Sequence, residues 1–197
     1  MDRGERDLAD HHVMTMGDLT VTTPLRTMWD LGMVRWPSEA LAGMNALFRT
    51  QQVDRTAFLG GISAFRGRRW VQTLRTVGPL VHGRCESPTE DILWLRCLEA
   101  GIELEPQVEV HDDQGFVGRF DLADEALRLA VEYDGAQWHS TPDQQAHDRR
   151  RRDRARAAGW TVVVVRAEEL FSQSSRAEEM VRDGLRRARL AAGMTAY

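Results

Sequence analysis

The chain has 197 residues, room for one ordinary domain or for one domain and a small companion. Apolar residues make up 42% and charged residues 28%, a globular composition, and the net charge of −4 excludes a histone-like basic binder. No stretch is long and apolar enough to cross a membrane and no signal-peptide pattern opens the sequence, so a cytoplasmic protein is expected.

Residues 1–17 show no period and read as irregular, with His11 and His12 in solvent. A helical module is expected over 18–80. Thr23 and Pro24 have the form of an N-cap and first helical residue, and Leu25, Met28, Trp29 and Met33 follow at helical spacing. Trp36, Pro37 and Ser38 interrupt the pattern. A second helix carries Leu41, Met44, Leu47 and Phe48, and shorter ones are expected over 54–59 and 68–77. Gly60, Gly61, Gly67, Gly78 and Pro79 punctuate this part, and 78–86 reads as a linker.

A second domain is expected over 86–197. Ser87 to Glu90 has the form of a capping box, opening a helix that Gly101 ends. Strands are expected over 105–111, 116–122 and 128–134, with turns at 112–115 and 123–126. Thr141 caps a long helix that stops at Gly159. The apolar run 160–165 reads as a strand central in the sheet, and a last helix runs from Ser175 to about Ala192. The order is helix, three strands, helix, strand, helix.

The residues with chemical content lie in RFDLADEALRLAVEYDGAQWH. Asp121 ends one apolar run, and Glu132 and Asp134 interrupt the next. Adjacent antiparallel strands would set these carboxylates side by side, the arrangement that holds a magnesium ion against a phosphate. Each aspartate also has a plain reading as a turn residue. Glu132 follows Leu129, Ala130 and Val131 in a strand that reads as buried, so its carboxylate must be paired, protonated or metal-bound. Glu90 has two readings, capping residue and helix carboxylate beside the ion. His139 is either structural or a proton relay, and Trp138 is read as a packing residue.

All 26 basic residues are arginine, which excludes Schiff-base chemistry and a phosphate-gripping lysine. Residues 147–156, HDRRRRDRAR, hold six arginines against two aspartates. The run reads either as a solvated face or as a phosphate surface. Its few apolar anchors imply that some arginines cover the sheet with their stems or pair with Asp148 and Asp153. Cys85 and Cys97 match no metal spacing and read as reduced thiols.

The αβββαβ order with Glu90, Asp121 and Glu132 in these places resembles the PD-(D/E)XK nuclease fold. GxxWH at 135–139 and the later Gly159-Trp160 resemble the very-short-patch-repair (Vsr) endonucleases. A closer resemblance is to a Vsr-like bacterial domain family, carried by RFDLADE, LAVEYDG, the histidine, Asp148 with Arg151, and GWTVVVVR. VTTPLRTMWDL is similar to the helical segment preceding that domain in actinobacterial members, whose antitoxin-like winged-helix portion is expected to be mostly absent here.

The resemblance implies a restriction-endonuclease-like α/β core with a small all-helical N-terminal module. It implies a Mg²⁺-dependent DNA endonuclease or nickase of repair or defence, with Mn²⁺ as substitute. Asp121, Glu132 and Asp134 would bind the metal, Glu90 would complete the shell, and His139 would move a proton. Arg149, Arg150, Arg151, Arg152 and Arg154, with Arg119, would meet the DNA backbone. The helical module would serve a protein partner. The family's frequent catalytic lysine and the Vsr zinc cluster are both missing. The alternative expectation is an inactive nuclease fold kept for binding, as an antitoxin-like or transcriptional regulator.

Overall fold

The computed structural model describes residues 8–135, 141–172, 174 and 176–194. The chain divides into two compact units between Gly83 and Arg84. Its described residues form eight α-helices, a two-stranded sheet and a mixed four-stranded sheet. No described helix is long and apolar enough to cross a membrane.

The first unit begins differently from the expectation. Strands β1 (Val13–Met16) and β2 (Leu19–Thr22) form an antiparallel hairpin around Gly17, whose φ of +60° suits a glycine. Met14, Met16 and Leu19 are exposed, so the hairpin carries no burial alternation to read from sequence. His12 is also not free in solvent: its Nδ1 lies 3.1 Å from the Arg26 guanidinium.

Helix α1 (Pro24–Gly32) starts at its expected cap, with the Thr23 hydroxyl accepting the Arg26 N–H at 3.3 Å. Helices α2 (Pro37–Phe48), α3 (Arg55–Gly61) and α4 (Val71–Val77) pack with it around Met28, Leu41, Met44, Phe58 and Leu74. Trp29 donates its indole N–H to the Phe58 carbonyl at 2.9 Å. Helix α4 begins three residues later than expected because Trp70 is left-handed, with φ of +61°.

The second unit runs α5 (Pro88–Glu99), β3 (Glu105–Asp112), β4 (Gly115–Asp124), β5 (Leu129–Asp134), α6 (Pro142–Ala157), β6 (Thr161–Arg166), α7 (Ala167–Leu170) and α8 (Arg176–Ala191). The sheet order is β3-β4-β5-β6. The first three strands are antiparallel, and β6 joins β5 in parallel through the crossover of α6. Strand β6 therefore lies at the end of this order, not at its centre as expected. Its valines are apolar because both faces are covered. Val163 and Val165 join Leu93, Leu122, Leu129, Val131 and Val181, while Val162 joins Val110, Phe120, Ala130 and Ala155. The four-residue helix α7 was not expected, and β4 runs two residues further than its apolar stretch.

Candidate functional site

The β4–β5 ladder pairs Leu122 with Val131, and the next residues outward are Asp121 and Glu132. Asp121 is no turn residue: its Oδ2 accepts the Tyr133 N–H at 2.7 Å, so a carboxylate takes the place of the next rung. Phe120 belongs to the apolar cluster containing Ala155, and Leu122, two residues on, to the cluster containing Leu93. Strand β4 thus changes face at Asp121. Opposite, between the pairs Pro106–Leu122 and Val108–Phe120, Gln107 has φ of +57°, rare for a residue with a Cβ.

Gln107 turns its amide to Glu90, donating to Oε2 at 2.8 Å. The same oxygen accepts the Glu86 N–H at 2.8 Å, and Oε1 accepts the Ser87 hydroxyl at 2.7 Å. Glu90 is therefore a capping residue, and its charge also acts on Asp121. The Asp121 carboxyl is pushed up to about 7, first by burial, then by repulsion from Glu90 and Glu132; the Tyr133 N–H and Arg151 oppose the rise.

That shift fixes a pH dependence. The fold favours protonated Asp121, so this group's stabilising contribution is full below the unfolded carboxyl's value of about 4. It is lost as pH rises toward 7. Wild type should lose stability between about pH 4 and pH 7 relative to Asp121→Asn, which keeps a neutral side chain throughout. Parallel melting-temperature profiles for the two proteins would contradict the assignment.

Glu132, 3% exposed, is paired rather than orphaned. Its Oε1 lies 2.5 Å from Arg151 Nη2, and its Oε2 2.7 Å from Arg152 Nε. Arg152 also reaches Asp134, with Nη2 at 3.1 Å from Oδ2. Arg151 is held at several points. Its Nη1 donates to the Arg119 carbonyl at 2.9 Å, and its guanidinium carbon lies 5.1 Å from the Phe120 ring centroid. Gly118 makes room for it, since a Cβ there would stand 2.5 Å from Arg151 Cδ.

These contacts revise the expected phosphate surface. In this state Arg151 and Arg152 serve the carboxylates, and Arg154 grips Asp112 through two bonds of 2.6 Å. Arg119 pairs with Glu86 at 2.6 Å while remaining half exposed. Arg149 and Arg150 lie on the exposed side of α6. Asp121, Glu132 and Asp134 do not close as a three-carboxylate cluster among the described residues. The cationic charge between Glu132 and Asp134 is instead supplied by Arg152. A hard, oxygen-seeking cation fits that donor set. His139 and Trp138 lie outside the described residues.

Two proteins of Mycobacterium tuberculosis, from strains CDC 1551 / Oshkosh and ATCC 25618 / H37Rv and both described as uncharacterised, are each 31% identical to the chain over 153 residues. The match takes in 77% of this chain and 56% of each relative, so the chain spans about half the length of the curated relatives it matches. No family model matches the chain, and no solved structure matches it.

Proposed function

We propose that the second unit is a metal-dependent phosphodiesterase of PD-(D/E)XK, Vsr-like type, an endonuclease or nickase acting on DNA in repair or defence. The observation that carries this reading is that Asp121 and Glu132 follow the paired Leu122 and Val131 on neighbouring strands, with the charges of Glu132 and Glu90 both acting on Asp121. Support also comes from the αβββαβ order and the parallel β5–β6 pair, which suit a restriction-endonuclease-like core. Asp121 and Glu132 would hold Mg²⁺, or Mn²⁺ in its place, with Asp134 alongside. When bound, the ion supplies polarisation of the scissile phosphate and a more acidic water. Glu90 keeps the Asp121 end of the site negative, Arg151 holds Glu132 in place, and His139 is assigned the proton relay. Cys85 and Cys97 are buried and in no disulfide, which suits a reducing cytoplasm.

Arg149 and Arg150 are the α6 arginines left to meet a DNA backbone. Their joint replacement by alanine should weaken binding to all duplex sequences alike and flatten the salt dependence by roughly two phosphate contacts. Unchanged affinity in a folded double variant would remove Arg149 and Arg150 from the DNA surface. A second reading, a nuclease fold kept for binding as an antitoxin-like or regulatory partner, is favoured by one observation. Arginines already neutralise Glu132 and Asp134, in a chain with no lysine to activate water.

A further inference from the structure

We infer that Arg152 is a removable plug in the seat between Glu132 and Asp134, so that its guanidinium and a divalent cation occupy that seat in turn. The inference rests on the reading of Glu132 as an ion ligand. Its basis is a contrast between neighbouring arginines. Both reach Glu132, one to each oxygen. Arg151 is also fixed to the Arg119 carbonyl, laid against Phe120 and threaded past Gly118, whose missing Cβ leaves it passage. Among the described residues, Arg152 has none of these anchors. Its bonds run to Glu132 and Asp134, the two groups a cation would claim.

Charge and shape explain why such a plug exists. Glu132 is almost fully buried, and a buried carboxylate without a counter-charge is strongly destabilising. Arg151 alone brings one positive charge to a place where Glu132 and Asp134 bring two negative ones. Arg152 completes the balance in the resting protein. The guanidinium fork spans two carboxylates, through Nε and Nη2, as a lysine ammonium would not. A divalent ion carries twice the charge of the fork and can replace it if Arg152 finds another anion. A phosphodiester is such an anion, because it takes a guanidinium in two parallel bonds. DNA arriving at α6 would thus open the ion seat. By linkage, the ion would strengthen DNA binding by the same factor.

The test is a Mn²⁺ titration, with free ion followed by electron paramagnetic resonance, on the full chain without DNA. Wild type should bind weakly. Arg152→Gln should bind roughly ten-fold more tightly or better, and adding Glu132→Gln to it should abolish the gain. Arg151→Gln should give no gain, because the plug remains. If Arg152→Gln fails to fold without metal, Arg152→Lys serves instead. It keeps the charge but cannot bridge both carboxylates, so a smaller gain is expected, together with a larger Mn²⁺-induced rise in melting temperature than in wild type. Equal Mn²⁺ affinity in wild type and the Arg152 variants, lost with Glu132→Gln, overturns the plug and leaves the ion seat standing. A gain that survives Glu132→Gln places the ion elsewhere and overturns the plug. No Mn²⁺ binding by any of these proteins overturns the ion seat and the plug together.

Discussion

Arg151→Ala is expected to destabilise the second unit by about 3–5 kcal/mol, the usual cost of removing one partner from a buried ion pair. The expectation follows from the burial of Glu132 and from what Arg151 does besides pairing. Its stem crosses β4 over Gly118, its guanidinium lies against Phe120, and Nη1 satisfies the Arg119 carbonyl. Alanine leaves a charged Glu132 with one cation instead of two, a cavity above Phe120 and an Arg119 carbonyl that has lost one hydrogen bond. Adding Glu132→Gln should restore part of the loss, because the two residues share one interaction and their effects cannot add. Arg154→Ala breaks a pair at the surface end of α6 and should cost clearly less. Denaturant unfolding of wild type and these three variants checks this. If Arg151→Ala is no less stable than Arg154→Ala, Glu132 does not depend on Arg151.

Glu132→Gln is expected to remove DNA cleavage while sparing DNA binding. Gln keeps the shape of the side chain, but its single carbonyl oxygen can accept from only one of the two arginines that now share the carboxylate, and its amide NH2 faces the other. It gives up the negative charge that a divalent ion needs. Loss of an outer partner of a metal ligand typically costs roughly 10–100-fold, so loss of a ligand itself should exceed that. Without divalent metal, binding to duplex DNA should hold or strengthen, since one negative charge is removed close to the phosphate surface. Cleavage by Glu132→Gln at the wild-type rate would take Glu132 out of the reaction. Parallel loss of binding and cleavage would point to a damaged fold, which a melting curve distinguishes.

Local grammar made much of this structure legible. The caps at Thr23, Ser87 and Thr141 start α1, α5 and α6 where the sequence places them, because a hydroxyl before an exposed N–H turn is a strictly local device. The alternation around Leu122 and Val131 places Asp121 and Glu132 at neighbouring rungs. Buried charge is equally readable at Glu132, since a carboxylate at that depth requires a partner, and two arginines supply it. What escaped was partner choice. Nothing in HDRRRRDRAR distinguishes an arginine facing solvent from one reaching a carboxylate twenty residues earlier. The helix phase, fixed by Ala155 packing on Phe120 and Ala130, decides it. Gly118 was the available signal, a glycine inside a strand marking close approach by something else. The left-handed Gln107 and the edge position of β6 depend on pairing between distant segments, which no local pattern records.

The most direct measurement is cleavage by the wild-type chain. Supercoiled plasmid, a mismatched duplex and single-stranded DNA would each be incubated with it in Mg²⁺, in Mn²⁺ and with a chelator, beside Glu132→Gln as the control for contaminating nucleases. The expected result is nicking or cutting of at least one DNA form that requires the metal, stops with chelator and is absent from the control. No cleavage of any form in either metal, by protein shown to be folded and to bind DNA, would contradict it and leave a nuclease-like fold kept for binding.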